Sequence, residues 1–168
     1  MRFFTSEWHG GDMSDEDASQ VPARYAEHLA SLLPRLPDAV RDRLGSINLH
    51  DAQIRECTLD WRRRAVRLAL RAGDNQVGYA NIGLEYQEVA TDRLDVPVLR
   101  SAVADPKTEL LYDELDEEGG YVVHRLLFWP YQSVDVYFRA VQLSRSSADA
   151  RLDFARQVRL VELGAPAT

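Results

Sequence analysis

The sequence predicts an α+β protein: a mostly antiparallel sheet, a meander of about six strands, with an N-terminal helical pair packed on one face. Two patterns and the chain length carry this expectation. From Cys57 to about Arg145, apolar residues recur with a period of two between short turn-forming stretches, as half-buried strands require. Before residue 45 they recur at helical spacing, with prolines near the expected helix ends. A length of 168 residues, 45% of them hydrophobic, suits one domain with its own core and is short for two. Within that single domain, 1–168, the expected divisions are an N-terminal segment and acidic linker at 1–20, the helical pair at 21–45, the sheet at 47–145 and a tail at 146–168.

Taken in order, "MRFFTSEW" reads as an edge strand or a short helix anchored by Phe3, Phe4 and Trp8, and "GGDMSDEDASQ" as an exposed acidic linker. A helix is expected from Pro22, a residue tolerated in the first turn, with Tyr25, Leu29, Leu32 and Leu33 on one face and Pro34 at its end. "LPDAVRDRLG" gives a second, short helix with Val40 and Leu44 inward and Gly45 as the stop. Cys57, Leu59 and Trp61 then alternate with polar residues, as do Val66, Leu68 and Leu70, and after the turn "AGDN" a third strand carries Ile82, Leu84 and Tyr86. Ile54 is out of step with Cys57, which a β-bulge near Arg55 and Glu56 repairs. "ATDRLDVPVLRSAVADPK" loses the alternation and reads as a connection with at most one helical turn. Strands resume with "TELLYDEL", "YVVHRLLFW" and "VDVYFRAVQLSR", where apolar residues on both faces predict central strands covered on both sides. The tail "RLDFARQVRLVEL" fits a strand or a helix.

A net charge of -7 argues against a general nucleic-acid binder, which needs a basic face to neutralise phosphates. "WRRRA" (61–65) is the one counter-signal, and it fits a solvated hairpin tip. No apolar run approaches the roughly 20 residues of a membrane span, and the N-terminus turns acidic before any signal-peptide core develops. The expected location is the cytoplasm, which a single cysteine, Cys57, also fits; on alternation it is a buried structural thiol.

"MRFFTSEW", the "INLHDAQI" element and the late "GYVVHRLLFWPYQSVDVYFRAVQL" resemble a group of bacterial proteins gathered as domain-of-unknown-function family 4085. Its members begin with a similar aromatic-Thr-x-Glu-Trp stretch, continue to a Leu-His-Asp element and end in an aromatic-rich meander. The resemblance implies a fold and no activity. The Leu-His-Asp element followed by a hairpin is also similar, more distantly, to small immunity-type proteins that neutralise bacterial toxins.

No motif fixes a chemistry: nucleophile elbow, phosphate loop, dinucleotide fingerprint and metal-ligand spacings are all missing from the sequence, and no cofactor or metal is expected. Two readings of different class follow. In the first, the chain is a non-enzymatic binding or accessory domain for a protein partner. Its contacts are an aromatic corner, Trp129 and Tyr131, and the acidic turn Asp116, Glu117 and Glu118, which offers charge to a basic surface. In the second, His50, Asp51 and His124 converge in a small metal-dependent or hydrolase-like centre, with Asp135 or Glu114 as further ligands. Neighbours in a strand point to opposite faces, so His50 and Asp51 more readily take structural roles: Asp51 accepting backbone N–H groups in an Asx turn, and His50 bonding a backbone carbonyl. His9 and His28 are expected at the surface. The discriminating observation is whether His50 and His124 meet in a pocket.

Overall fold

The computed structural model describes residues 1–45, 47–74, 78–105, 107–130, 132–148 and 159–164. Among the described residues there are four helices, mainly N-terminal, and eight strands: α1 (Ser6–Gly10), α2 (Asp15–Leu32), α3 (Asp38–Leu44), β1 (Ala52–Asp60), β2 (Ala65–Asp74), β3 (Gly78–Gln87), α4 (Val96–Ala104), β4 (Glu109–Glu118), β5 (Tyr121–Phe128), β6 (Gln132–Phe138), β7 (Ala140–Ala148) and β8 (Arg159–Leu163). The strands make one sheet in the order β6-β5-β4-β1-β2-β3-β7, with β8 added beside β1. All pairings are antiparallel except that of β8, which runs parallel to Glu56–Asp60 of β1.

The sheet has two arms, β6-β5-β4 and β1-β2-β3-β7, joined by only two residue pairs, Ala52 with Leu110 and Gln53 with Glu109. At the other side a single residue, Arg139, separates β6 from β7, so the two ends of the sheet are consecutive in sequence. There the Arg139 N–H donates to the Gln87 carbonyl and the Ala90 N–H to the Tyr137 carbonyl. The arms therefore fold over one another around one core. In it Leu32, Val40, Leu44 and Leu49 from the helical side meet Cys57, Leu68, Leu84, Leu126, Phe128 and Phe138 from the strands.

Several sequence expectations need correction. The acidic "linker" is the beginning of a helix: Ser14 caps α2, its hydroxyl accepting the Asp17 N–H, and Asp15, Glu16 and Asp17 fill the first turn, where the helix dipole favours negative charge. Pro22 consequently lies inside α2 rather than at its start. A proline there leaves the carbonyl four residues back without its helical donor, and that carbonyl, Ala18, accepts the Trp8 indole N–H at 2.9 Å. The connection after β3 holds more than one turn, because Asp95 caps α4 by accepting the Val98 N–H and Pro97 occupies the first turn, where proline is compatible with a helix. The strand count rises from about six to eight because Arg139 breaks "VDVYFRAVQLSR" into β6 and β7 and because the tail supplies β8. The expected bulge is present: the β1–β2 register shifts between Ile54 and Glu56, and Ile54, Cys57 and Leu59 are all buried. Both faces of β5 are covered, the outer one by Ala90, Tyr137 and Tyr121 around Val123.

Candidate functional site

Past the two residue pairs they share, β1 and β4 diverge, and each exposes an edge whose backbone groups need partners. Those of β1 go to β8. Those of β4 go to side chains. The Tyr25 hydroxyl accepts the Leu115 N–H at 2.9 Å, and one turn further along α2 the His28 Nε2 lies 3.1 Å from the Leu115 carbonyl. Residues three apart on a helix share a face, so α2 serves Leu115 as a neighbouring strand would. Burial raises the Tyr25 pKa above the ordinary phenol range and keeps its hydroxyl protonated.

His50 performs the same service for Leu111. Its Nδ1 hydrogen bonds the Leu111 carbonyl, which fixes the proton on Nδ1 and leaves Nε2 as the lone-pair nitrogen of the neutral ring. The ring stacks on Tyr112 with centroids 4.9 Å apart. Asp51 stands at φ +59°, in the left-handed region that short polar side chains tolerate. Its carboxylate is 3.6 Å from His50 Nε2, beyond a hydrogen bond, and both side chains are about half exposed or more. An Asx turn is present at Asn48 rather than Asp51: Asn48 accepts the N–H two residues on, from His50.

The N-terminal segment completes the wedge. Glu114, buried on β4, accepts the N–H groups of Arg2, Phe3 and Phe4 at 2.8, 2.7 and 2.6 Å. Phe4 stacks on Tyr112 at 5.1 Å and Trp8 meets the same ring edge-on at 5.0 Å. The two most distinctive stretches of the sequence, "MRFFTSEW" and "INLHDAQI", thus converge on one tyrosine.

His124 lies elsewhere. It is fully buried, within the core rather than at the sheet surface. The Tyr86 hydroxyl, from β3 in the other arm of the sheet, is 2.8 Å from its Nδ1, and Asp113 Oδ2 is 3.0 Å from its Nε2. A carboxylate only accepts, so Nε2 carries the proton and Tyr86 donates to Nδ1. Burial raises the Tyr86 pKa well above its ordinary value, consistent with that donor role. Asp113 and Tyr112 are neighbours on β4 and face opposite sides. His124, bonded to Asp113, and His50, stacked on Tyr112, therefore occupy opposite faces of the strand and do not converge. Glu114 is spent on the N-terminal amides, and Asp135 pairs with Arg125. Among the described residues no cluster of His, Cys, Asp or Glu is placed to hold a metal.

The acidic turn is not a free patch. Asp116 is engaged by Arg2 at 3.4 Å, His28 at 3.5 Å and Arg125 at 3.4 Å; Glu117 faces Arg35 at 3.8 Å; Glu118 pairs with Arg93 and accepts from the Tyr137 hydroxyl. These partners depress the Glu118 pKa, with the Arg93 hydrogen bond foremost. Asp116 also lies below its ordinary value: burial opposes this, and the Glu117 N–H, His28 and Arg125 outweigh it. His28 is mostly buried rather than at the surface. The aromatic corner is open: Trp129, at the end of β5, is 44% exposed, and its backbone N–H is held by the Glu109 carbonyl. Tyr131 lies outside the described residues. Cys57 is buried, and desolvation pushes its thiol up to about 12. Arg62, Arg63 and Arg64 are exposed at the β1–β2 turn, as a solvated tip requires. Among the described residues no helix is long and apolar enough to cross a membrane.

Sequence reasoning missed a cleft of about 460 Å3 between α3, the 47–51 loop, β7 and the facing ends of β2 and β3. His50 and Asp51 stand at its rim with Arg43, Arg145 and Tyr79. The nearest sequence signal was the paucity of side chains at Ala72, Gly73, Gly78 and Ala80, which leave the space; a Cβ on Gly73 would fall 2.1 Å from the Gly78 carbonyl. Compared with protein-family models, curated proteins and solved structures, the chain finds no match in any of the three.

Proposed function

We propose that the protein is a binding or accessory domain that recognises a protein partner, with Trp129 as the central contact. The observation that carries this reading is the 44% exposure of a tryptophan held in place by the backbone bond from its own N–H to Glu109, at a corner between strands. Large rigid aromatics that are already ordered lose little entropy on binding and dominate interface energies. The acidic turn contributes less, because a basic partner would have to compete with Arg35 and Arg93 for Glu117 and Glu118. His50 belongs to the scaffold in this reading, since its Nδ1 completes the β4 edge. Kinship with domain-of-unknown-function family 4085 is part of the same proposal, supported by the meeting of its two motif-like stretches at Tyr112.

The test is quantitative capture of partners from lysate of the source organism, read by mass spectrometry, with wild type and Trp129→Ala side by side. The expected result is one protein recovered near stoichiometry with wild type and lost with the variant. Recovery of nothing by wild type, or equal recovery by both, overturns the proposal.

A further inference from the structure

We infer that the cleft beside His50 binds a small organic anion: an oxyanion group, carboxylate, sulfonate or phosphate, carried on a flat apolar body. The volume, about 460 Å3, is within the range of small-molecule sites. Its deeper wall is apolar, from Ala72, Ala80, Ile82 and Leu143, and its rim is polar. The charges of that rim are unequal in their availability. Asp42 lies 3.5 Å from Arg41 and Asp51 lies 3.6 Å from His50, so each rim carboxylate has a cation or imidazole at hand. Arg43 donates one N–H to the Val141 carbonyl and Arg145 is exposed on β7, and neither has a carboxylate partner among the described residues. Arg43 spends one of its five donors on that carbonyl, and the bond holds its head at the cleft. Two guanidinium groups over an apolar floor match a planar anion, because the fork geometry grips an oxyanion while the hydrocarbon body leaves water.

The site is distinct from the Trp129 corner, so the two proposals stand or fall separately. The probe is 8-anilinonaphthalene-1-sulfonate, a flat aromatic sulfonate whose fluorescence rises in apolar surroundings, compared with its uncharged counterpart N-phenyl-1-naphthylamine. Folded wild type is expected to show one saturable site for the sulfonate. Arg145→Glu, an exposed position, is expected to weaken it roughly tenfold or more while leaving binding of the neutral counterpart unchanged. Arg24→Glu, exposed on α2 and remote from the cleft, alters net charge by the same amount and is expected to leave both affinities as in wild type. Thermal unfolding of each variant establishes that the fold is retained. Absence of saturable sulfonate binding to wild type, equal weakening by Arg24→Glu and Arg145→Glu, or sulfonate affinity unaffected by Arg145→Glu each overturn the assignment.

Discussion

His50 and His124 each sit near an aspartate, and the two regions show how little sequence adjacency says about pairing. His50 precedes Asp51 directly, yet their side chains stand 3.6 Å apart in partial solvent, and the ring gives its proton to a backbone carbonyl instead. His124 is eleven residues from Asp113, yet the strand pairing of β4 with β5 places them 3.0 Å apart with no solvent access to the histidine. An exposed pair of this kind contributes little, because water competes for both groups. A buried chain of tyrosine, histidine and aspartate is all-or-nothing: with every donor and acceptor matched it fixes one packing, and with one member removed it leaves polar groups stranded in a low-dielectric interior. The first histidine covers an edge; the second locks two arms of the sheet together.

The contrast can be broken by experiment, and the largest effect is expected in the interior. His124→Ala removes a buried ring and leaves the Tyr86 hydroxyl without its acceptor and Asp113 without its donor. The expected loss is about 3–5 kcal/mol in urea unfolding, from cavity and unsatisfied groups together. A second expectation concerns alkali. The Cys57 thiol is held at about 12 in the folded chain against an ordinary value of 9.0. Its pKa is raised on folding, so its contribution is complete below pH 9 and is lost as pH rises through 12, at about 1.4 kcal/mol per pH unit in between. Tyr86 adds to the same slope above about pH 10, where an unfolded phenol begins to ionise. Urea midpoints measured from pH 8 to 11 are expected to fall steeply for wild type and less steeply for Cys57→Ala; parallel curves would mean that the thiol is not shielded. The smallest effect is expected at the rim. His50→Ala forfeits one hydrogen bond and one ring stack, worth about 1–2 kcal/mol. If it costs as much as His124→Ala, the distinction between edge cover and interior lock fails.

Much of this architecture was legible because the physics behind it is local. The β1–β2–β3 hairpins follow from alternation, and even the bulge followed from Ile54 being out of phase with Cys57. Other features depended on partners distant in sequence. Asp15 to Asp17 read as a linker because an acidic run is polar on every side, and only the Ser14 cap distinguishes it from one. Pro22 read as a helix start because nothing nearby reveals that Trp8 will satisfy the Ala18 carbonyl. The break at Arg139 shifts the phase of "VYFRAVQL", with Val136 and Phe138 in the core before it and Val141 after it, but a phase shift alone does not tell a bulge from a change of neighbouring strand. Parallel addition of β8 to β1 joins segments about a hundred residues apart, which no period could announce. For the candidate sites, the separation of His50 from His124 follows from which face of β4 each one meets, Tyr112 for the first and Asp113 for the second. The cleft depends on which side chains are missing from facing strands.

The Glu114 cradle gives the chain an order of completion. The amides of residues 2 to 4 leave the ribosome well before the carboxylate they bind, which follows 112 residues after Arg2. At a synthesis rate of about 5–20 residues per second, that is a delay of roughly 6–22 s. Throughout it Phe3, Phe4 and Trp8 have neither Glu114 nor Tyr112 to dock against. Residues 2 to 4 therefore cannot be seated before β4 has been made, and their burial reports that β4 has arrived.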